Sequence, residues 1–288
     1  MDSLDLWLQA TINGIALGWL YVLMALGLTL ILSIMGILQL AHGEIYMLGA
    51  YAVHYLVGRS LGLYPAIAVS MLMMAVFGII LERGLFRPRT GREVVLSSIV
   101  ISTGLTLILT SAIVVAFGLY TKSLPLLATG SLDIFGAAVP KDRIVAIGFS
   151  VLALILLYVF LKKTRLGLAM IASAQNREGS FLKGINPNRM SMAAMAIGCA
   201  LAALAGALAG AILQLQPYMG GLPMIKGLVI IVLGGLGSIP GALIGGLVLG
   251  LIDGIVPVFF SPAVASVGPL VVVILVLLFR PKGLLGHD

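Results

Sequence analysis

Lys162–Arg189 reads KKTRLGLAMIASAQNREGSFLKGINPNR, a polar stretch set between two long apolar runs. It gathers six basic residues with Gln175, Asn176 and Glu178, in a chain that is 61% hydrophobic and only 9% charged. A segment of this chemistry inside apolar sequence marks where the chain leaves its apolar surroundings and meets water. Its mixture of charges and amides suits recognition by another protein.

Outward from this island the chain is apolar in both directions. With 288 residues, 36 glycines and a mean hydropathy of +1.19, it has more apolar surface than a globule of that size can bury, so lipid must be its solvent. Lys, Arg, Asp and Glu are absent between Asp5 and Glu44, Glu93 and Lys122, Arg143 and Lys162, Arg189 and Lys226, and Asp253 and Arg280. Each gap holds the roughly 20 residues that cross a bilayer core as a helix. The expected fold is all-α, one polytopic helical bundle over 1–288 with about eight or nine membrane segments, near 10–34, 39–57, 64–82, 95–117, 144–161, 190–213, 226–236, 241–258 and 264–279. The seventh is too short to cross alone. The break Gly237-Ser238-Ile239-Pro240-Gly241 suggests that it and the eighth form a broken or re-entrant element. The start Met1-Asp2-Ser3-Leu4-Asp5 is acidic and lacks the basic region of a cleavable signal, so the first run is expected to remain as a span. The single cysteine, Cys199, rules out an internal disulfide and reads as a small packing residue.

Basic residues favour short cytoplasmic loops. With nine crossings and the amino end outside, the inner segments hold Arg83, Arg87, Arg89 and Arg92, the six of the island, and Arg280 and Lys282; the outer ones hold Arg59, Lys122, Lys141, Arg143 and Lys226. The island and the carboxyl end then face the cytoplasm and the amino end lies outside. The net charge of +7 follows from this asymmetry and from anionic membrane lipid, and implies no nucleic acid.

Small residues recur every fourth position at Gly198, Ala202, Gly206 and Gly210, at Gly237, Gly241 and Gly245, at Gly246, Gly250 and Gly254, and more weakly at Ala10, Gly14 and Gly18. Such stripes let helices approach closely in lipid, where dispersion contacts drive association. Ionisable groups inside apolar runs are costly and need a reason. Asp253 either reaches the outer interface near Pro257 or lines an internal path. Gln39, His42, Gly43 and Glu44 fall between the first and second spans, as a polar turn that caps the second helix at the cytoplasmic face or as part of a transport path. Metal binding there is disfavoured, since residues two apart leave a helix on different sides.

No Gly-rich phosphate loop ending in Lys-Ser or Lys-Thr occurs, nor a His-Glu-x-x-His pair, nor a distinguishable Ser, His and Asp set, so an enzyme is not expected. An ion-gradient transporter needs buried midplane carboxylates, and Asp253 is a single candidate. Within the island, Met170, Ala174, Phe181 and Ile185 recur at near-helical spacing over Leu166–Lys183, Gln175, Asn176, Arg177 and Glu178 form a polar patch, Gly184 suits a left-handed stop, and Pro187 prevents continuation. This predicts one helix, a glycine turn and the next span. Such a helix could lie on lipid headgroups. Glu178 gains nothing from anionic lipid and suits a protein groove.

Gln175-Asn176-Arg177-Glu178 followed by Gly184-Ile185-Asn186 resembles the cytoplasmic coupling loop of ABC importer permeases of the branched-chain amino acid (LivH-like) type. Gly36–Tyr51, GILQLAHGEIYMLGAY, and Val232–Gly250, VLGGLGSIPGALIGGLVLG, agree with it, so three motifs in order span nearly the whole chain. Gly179 and Ser180 stand where that family commonly has alanine, and Ala172 near where it often has a basic residue. The resemblance implies a multi-pass permease in a bacterial or archaeal cytoplasmic (inner) membrane, with residues 162–189 as coupling loop. Gln175, Asn176, Arg177, Glu178, Phe181, Gly184 and Ile185 would contact an ATPase, and Gln39, His42, Gly43, Glu44, Gly237, Ser238, Pro240 and Asp253 would belong to the translocation path or gate. It implies no cofactor in this chain: ATP and Mg sit on two cytoplasmic ATPase subunits, a second related permease completes a heterodimer, and a periplasmic or extracellular solute-binding protein delivers branched-chain amino acids, or amides or urea. An ion-coupled transporter or channel for small solutes is the alternative.

Overall fold

The structure, a computed structural model, describes residues 3–87, 94–134, 137–235, 237–259, 271, 278 and 283–284. The expected span 264–279 and Arg89, Arg92, Arg280 and Lys282 lie outside those residues or are not described in side-chain detail.

Backbone groups in lipid must bond within their own segment, so apolar runs become helices. Among the described residues ten α-helices are delimited: α1 (Ser3–Met35), α2 (His42–Gly58), α3 (Leu63–Leu81), α4 (Val94–Phe117), α5 (Lys141–Lys163), α6 (Arg165–Gln175), α7 (Arg177–Leu182), α8 (Pro187–Ile212), α9 (Gly221–Gly234) and α10 (Ile239–Phe259). A π-helical turn, Glu82–Phe86, prolongs α3, and strands β1 (Ser131–Ile134) and β2 (Ala137–Pro140) pair antiparallel, Ser131 opposite Pro140. Among the described residues six helices, α1, α3, α4, α5, α8 and α10, are long and apolar enough to cross a membrane. With 17 and 14 residues, α2 and α9 measure about 26 and 21 Å, short of a hydrocarbon core about 30 Å thick.

The centre of the bundle is α1, whose Val22–Leu26 side chains are fully buried. The weak stripe Ala10, Gly14 and Gly18 proves to be the partner of Gly246, Gly250 and Gly254: α1 and α10 cross so closely that a Cβ on Gly14 would lie 2.9 Å from Gly250 O. On α8, Gly198 lies against Gly27 of α1 and Gly206 against the Tyr46 carbonyl of α2. Gly237 departs from its expected stripe. It sits in the α9–α10 turn at φ +85°, while Gly241 packs on Gly234 and Gly245 on Leu233.

The seventh segment, α9, is short as expected, and α2, expected as an ordinary span, shares its construction. Ile37-Leu38-Gln39-Leu40 follows α1 and precedes α2; Ile212-Leu213-Gln214-Leu215 closes α8 and precedes α9. In each case a long helix is followed by non-helical chain that turns back into the bundle, and a short helix starts from inside. His42, at the start of α2, lies against Gly27, eight residues or about 12 Å short of the end of α1. Gly220, just before α9, lies against Gly43. From there α2 follows α8, Tyr46 meeting Gly206 and Ala50 meeting Gly210, while α9 follows α1, Gly227 meeting Met24 and Gly237 meeting Ser33. The inward return after α1 and α2 together bring the chain back to the side from which α1 started, α3 to α5 cross in turn, and α8 therefore runs opposite to α1, so the two units form an inverted pair of the kind on which transporter folds are built.

Candidate functional site

The expected path residues fall in three places. Gln39, His42, Gly43 and Glu44 come together where α2 begins, inside the bundle. The Gly36–Ala41 segment carries Gln39 in from the end of α1, and its side chain is fully buried beside Cys199 of α8. His42 is fully buried between Gly27 and α8, and Glu44, 6% exposed, reaches Thr110 of α4. Gly43 meets Gly220 and Met224, and a side chain there would force the two helix starts apart. The expectation of a capping turn at the cytoplasmic face is corrected. The cap position of α2 is Ala41, no side chain caps it, and the non-helical return has carried the helix start away from the surface.

These groups are polar and buried, and several of their atoms lack a conventional nitrogen or oxygen partner. Among the described residues, every buried side-chain N or O atom without a hydrogen-bond partner belongs to Thr29, Gln39, His42, Glu44 or Tyr51. For Gln39 both amide atoms are unpaired, and for His42 both ring nitrogens. Each such group costs about 1–3 kcal/mol of lost hydration.

Asp253 lies elsewhere. Tyr21 Oη donates to its Oδ2 at 2.8 Å, Lys226 Nζ donates to Tyr21 Oη at 2.9 Å, and Lys226 forms an ion pair with Asp253. Lys226, expected in an outer loop, therefore belongs to the interior, because α9 starts at Gly221, five residues earlier than expected. Asp253 does not stand alone. Its charge is matched by a cation from the next helix, which removes much of the cost of placing either in lipid. The third group, Gly237, Ser238 and Pro240, forms the α9–α10 turn near Ser33: Gly241 N–H donates to Ser238 Oγ at 3.1 Å, and Gly237 and Pro240 are exposed. The turn does not join Gln39 or Asp253.

The island forms an elbow, not the single helix expected. Thr164 caps α6, its Oγ1 accepting from Gly167 N–H at 3.0 Å. Asn176 then breaks the helix at φ −152°, ψ 102° and caps α7 instead, its Oδ1 accepting from Gly179 N–H at 2.7 Å. An Asn side chain competes for backbone donors in this way, and the spacing of apolar residues does not reveal it. Contact between Ser173 Oγ and Ser180 Oγ at 3.4 Å fastens the two arms. Gly184, at φ +82°, closes α7: its N–H reaches Phe181 O at 2.9 Å and Ile185 N–H reaches Ser180 O at 3.1 Å, a Schellman stop. Asn186 then caps α8 with Pro187 in its first turn. Gln175, Asn176, Arg177 and Glu178 are exposed, and Phe181 and Leu182 are 64% and 85% exposed, while Ile185 is half-buried. Arg177, Glu178, Phe181, Leu182 and Pro187 line a surface depression of about 410 Å³.

Beside it, Glu82 of the π turn is almost fully buried and takes a two-pronged bond from Arg87, Nε to Oε1 at 3.1 Å and Nη2 to Oε2 at 2.7 Å, while Arg87 also approaches Asn188 O at 3.5 Å. This clamp ties the end of α3 to the start of α8. The sequence offered one signal for it, an acid among arginines.

The sequence of this chain is matched by known proteins. The profile of a family described as the permease component of the branched-chain amino acid transport system matches residues 10–278. This chain belongs to that family. It is 34% identical over 304 residues, 100% of the chain and 98% of the relative, to a high-affinity branched-chain amino acid transport system permease protein, BraD, of Pseudomonas aeruginosa. It is 33% identical over 299 residues, 98% and 96% of the two chains, to LivH of Salmonella typhimurium, described in the same words. LivM of Escherichia coli, also described as such a permease, is 26% identical over 306 residues, 96% of this chain and 70% of that protein.

Proposed function

We propose that this chain is the permease subunit of an ATP-driven importer that carries branched-chain amino acids across the cytoplasmic membrane, with the elbow end of the bundle inside the cell. The observation that carries this reading is the elbow itself. In a membrane-embedded chain of this family, the two-armed segment exposes an apolar pair, Phe181 and Leu182, flanked by Arg177 and Glu178. An apolar patch rimmed by charge is what a protein groove receives.

ATP and Mg would be bound on two separate ATPase subunits, since the chain carries no phosphate loop of its own. Similarity to both LivH and LivM favours a second, related permease as partner. A solute-binding protein would dock at the opposite end, where Leu119 and Tyr120 are 63% and 86% exposed in the loop that leads to the β1–β2 hairpin. Closure of the ATPases would push the elbow, and Asn186 and the Glu82–Arg87 clamp would pass that displacement to α8 and α3, a shift of packed elements between two access states.

Uptake of leucine, isoleucine, valine, acetamide and urea into vesicles holding the purified complex, with and without ATP, tests the proposal. Accumulation of the three amino acids that requires ATP is the expected result. Accumulation without nucleotide, or purification without an ATPase partner, refutes it.

A further inference from the structure

Resting on the importer reading, we propose that residues 118–127, which leave α4 at the end opposite the elbow, are a strap that shuts the outer gate. One peptide pair, Lys122 with Leu215, latches it to the return that leads into α9, and a solute-binding protein seated on its outward side lifts it.

The strap is anchored at its ends and only latched between them. At the far end Tyr64 Oη of α3 donates to Leu127 O at 2.6 Å, and Lys141 N–H donates to Gly130 O at 3.0 Å, just before the β1–β2 hairpin. Tyr64 is itself stacked on Phe149 of α5, ring centroids 5.8 Å apart. At the near end Gly118, directly after α4, stands at φ +79°, a sharp turn open to glycine and suited to a hinge. Between these points Lys122 N–H donates to Leu215 O and Leu215 N–H donates to Lys122 O, 2.9 Å each. The pair is an isolated bridge that belongs to neither strand. Without neighbouring rungs, such a pair opens without unravelling any other element.

What the latch holds gives it consequence. Leu215 is fully buried in the non-helical chain between α8 and α9, whose backbone groups need partners wherever water is absent. That return ends at Gly220, which lies against Gly43 at the start of α2, so releasing Leu215 frees the junction of the two short helices. Beside the latch, Leu124 is 6% exposed and seats on α8, its Cδ1 3.1 Å from where a Cβ on Gly210 would lie. The opposite side of the strap is apolar and open: Leu119, Tyr120 and Leu126 are 63%, 86% and 55% exposed. An outward aromatic flanked by leucines is a grip for a protein partner. Next to the hinge, Tyr51 of α2 is 1% exposed with its hydroxyl unpaired and its ring 4.9 Å from Phe117, the last residue of α4. A hydroxyl left dry in the shut state gains water on opening, which keeps the latch from being too tight.

A disulfide separates a gate from a loop that is merely packed. Residues that exchange both peptide bonds stand about 5.5 Å apart at Cα, within reach of a disulfide. The complete transporter is reconstituted in vesicles with its solute-binding protein. Lys122→Cys/Leu215→Cys should cross-link on oxidation, lose ATP-driven leucine uptake at least roughly tenfold, and return to within about twofold of the parent on reduction. Asp133→Cys/Ala138→Cys, opposite each other in the hairpin, should cross-link with uptake kept. The parent, whose one cysteine, Cys199, is fully buried, is the blank. A second readout uses Leu215→Cys alone and a membrane-impermeant thiosulfonate on the side of the solute-binding protein. Labelling should be at least roughly tenfold faster during ATP turnover than at rest, and omitting the solute-binding protein should remove the acceleration.

Full uptake by the oxidised Lys122–Leu215 pair, failure of that pair to cross-link, or labelling that turnover does not change overturns the strap as gate. Acceleration that persists without the solute-binding protein overturns the partner's share in lifting it. If reduction does not restore uptake, the labelling decides. ATP-driven uptake by the parent in any of these cases leaves the importer standing, whereas uptake without nucleotide removes the importer instead.

Discussion

Replacing Gly184 by valine acts chiefly on one backbone angle. At φ +82° the residue stands in the left-handed region, and a Cβ built on it meets no atom within 4 Å. The space around Cβ is open, so the penalty is mainly conformational, about 1–2 kcal/mol for an L-residue and at the upper end for a β-branched one. Since about 1.4 kcal/mol is a factor of ten in an equilibrium, the equilibrium constant for closing the Schellman turn should fall roughly 5- to 30-fold. That turn fixes the angle between α7 and α8, so its loss should leave ATP hydrolysis running while solute no longer moves in step. The assay is uptake per ATP hydrolysed in reconstituted vesicles, with Gly184→Asn as control, because Asn tolerates this conformation. We expect Gly184→Val to lower the ratio, by up to about 30-fold, and Gly184→Asn to stay within about twofold of the parent. Valine coupling as well as glycine, or asparagine failing as badly as valine, would refute the reasoning that the left-handed turn transmits the stroke.

Three other outcomes follow from the packing. Asn176→Ala removes the cap of α7, about 1 kcal/mol, so the Gly179 amide should exchange with deuterium roughly fivefold faster, and an unchanged rate would show that the cap is idle. Lys226→Met leaves Asp253 charged among apolar helices and should lower stability by about 3–5 kcal/mol, read as a fall in melting temperature; adding Asp253→Leu should recover most of it, and a double variant no better than the single one would contradict the pairing. Gly250→Ala drives a methyl group into the Gly18 backbone and should cost about 1–3 kcal/mol, whereas Gly148→Ala in α5, with nothing within 4 Å of its Cβ, should be neutral or stabilising; equal effects on thermal stability would argue against the α1–α10 seam.

The sequence alone determined the class of this protein. Lipid as solvent, helices as elements and a water-facing island follow from where charges are absent, because an uncompensated charge or unpaired backbone in hydrocarbon is costly wherever the chain later folds. The stop at Gly184 and the start at Pro187 were legible for the same reason: both act on their own backbone within one turn. Three features were decided only by tertiary structure. Asn176 chose between continuing a helix and capping one, and the Ser173–Ser180 contact goes with the second choice. Lys226 looked like a loop cation until α9 set it beside an acid 27 residues away, and charge pairing across that distance leaves no periodicity to read. Gln39, His42 and Glu44 stood at a span boundary in the linear pattern, and the return of Gly36–Ala41 into the bundle carried them inside. Hydropathy records how apolar a segment is; depth is set by which helices it packs between, and that belongs to the whole assembly of α1, α2, α8 and α9.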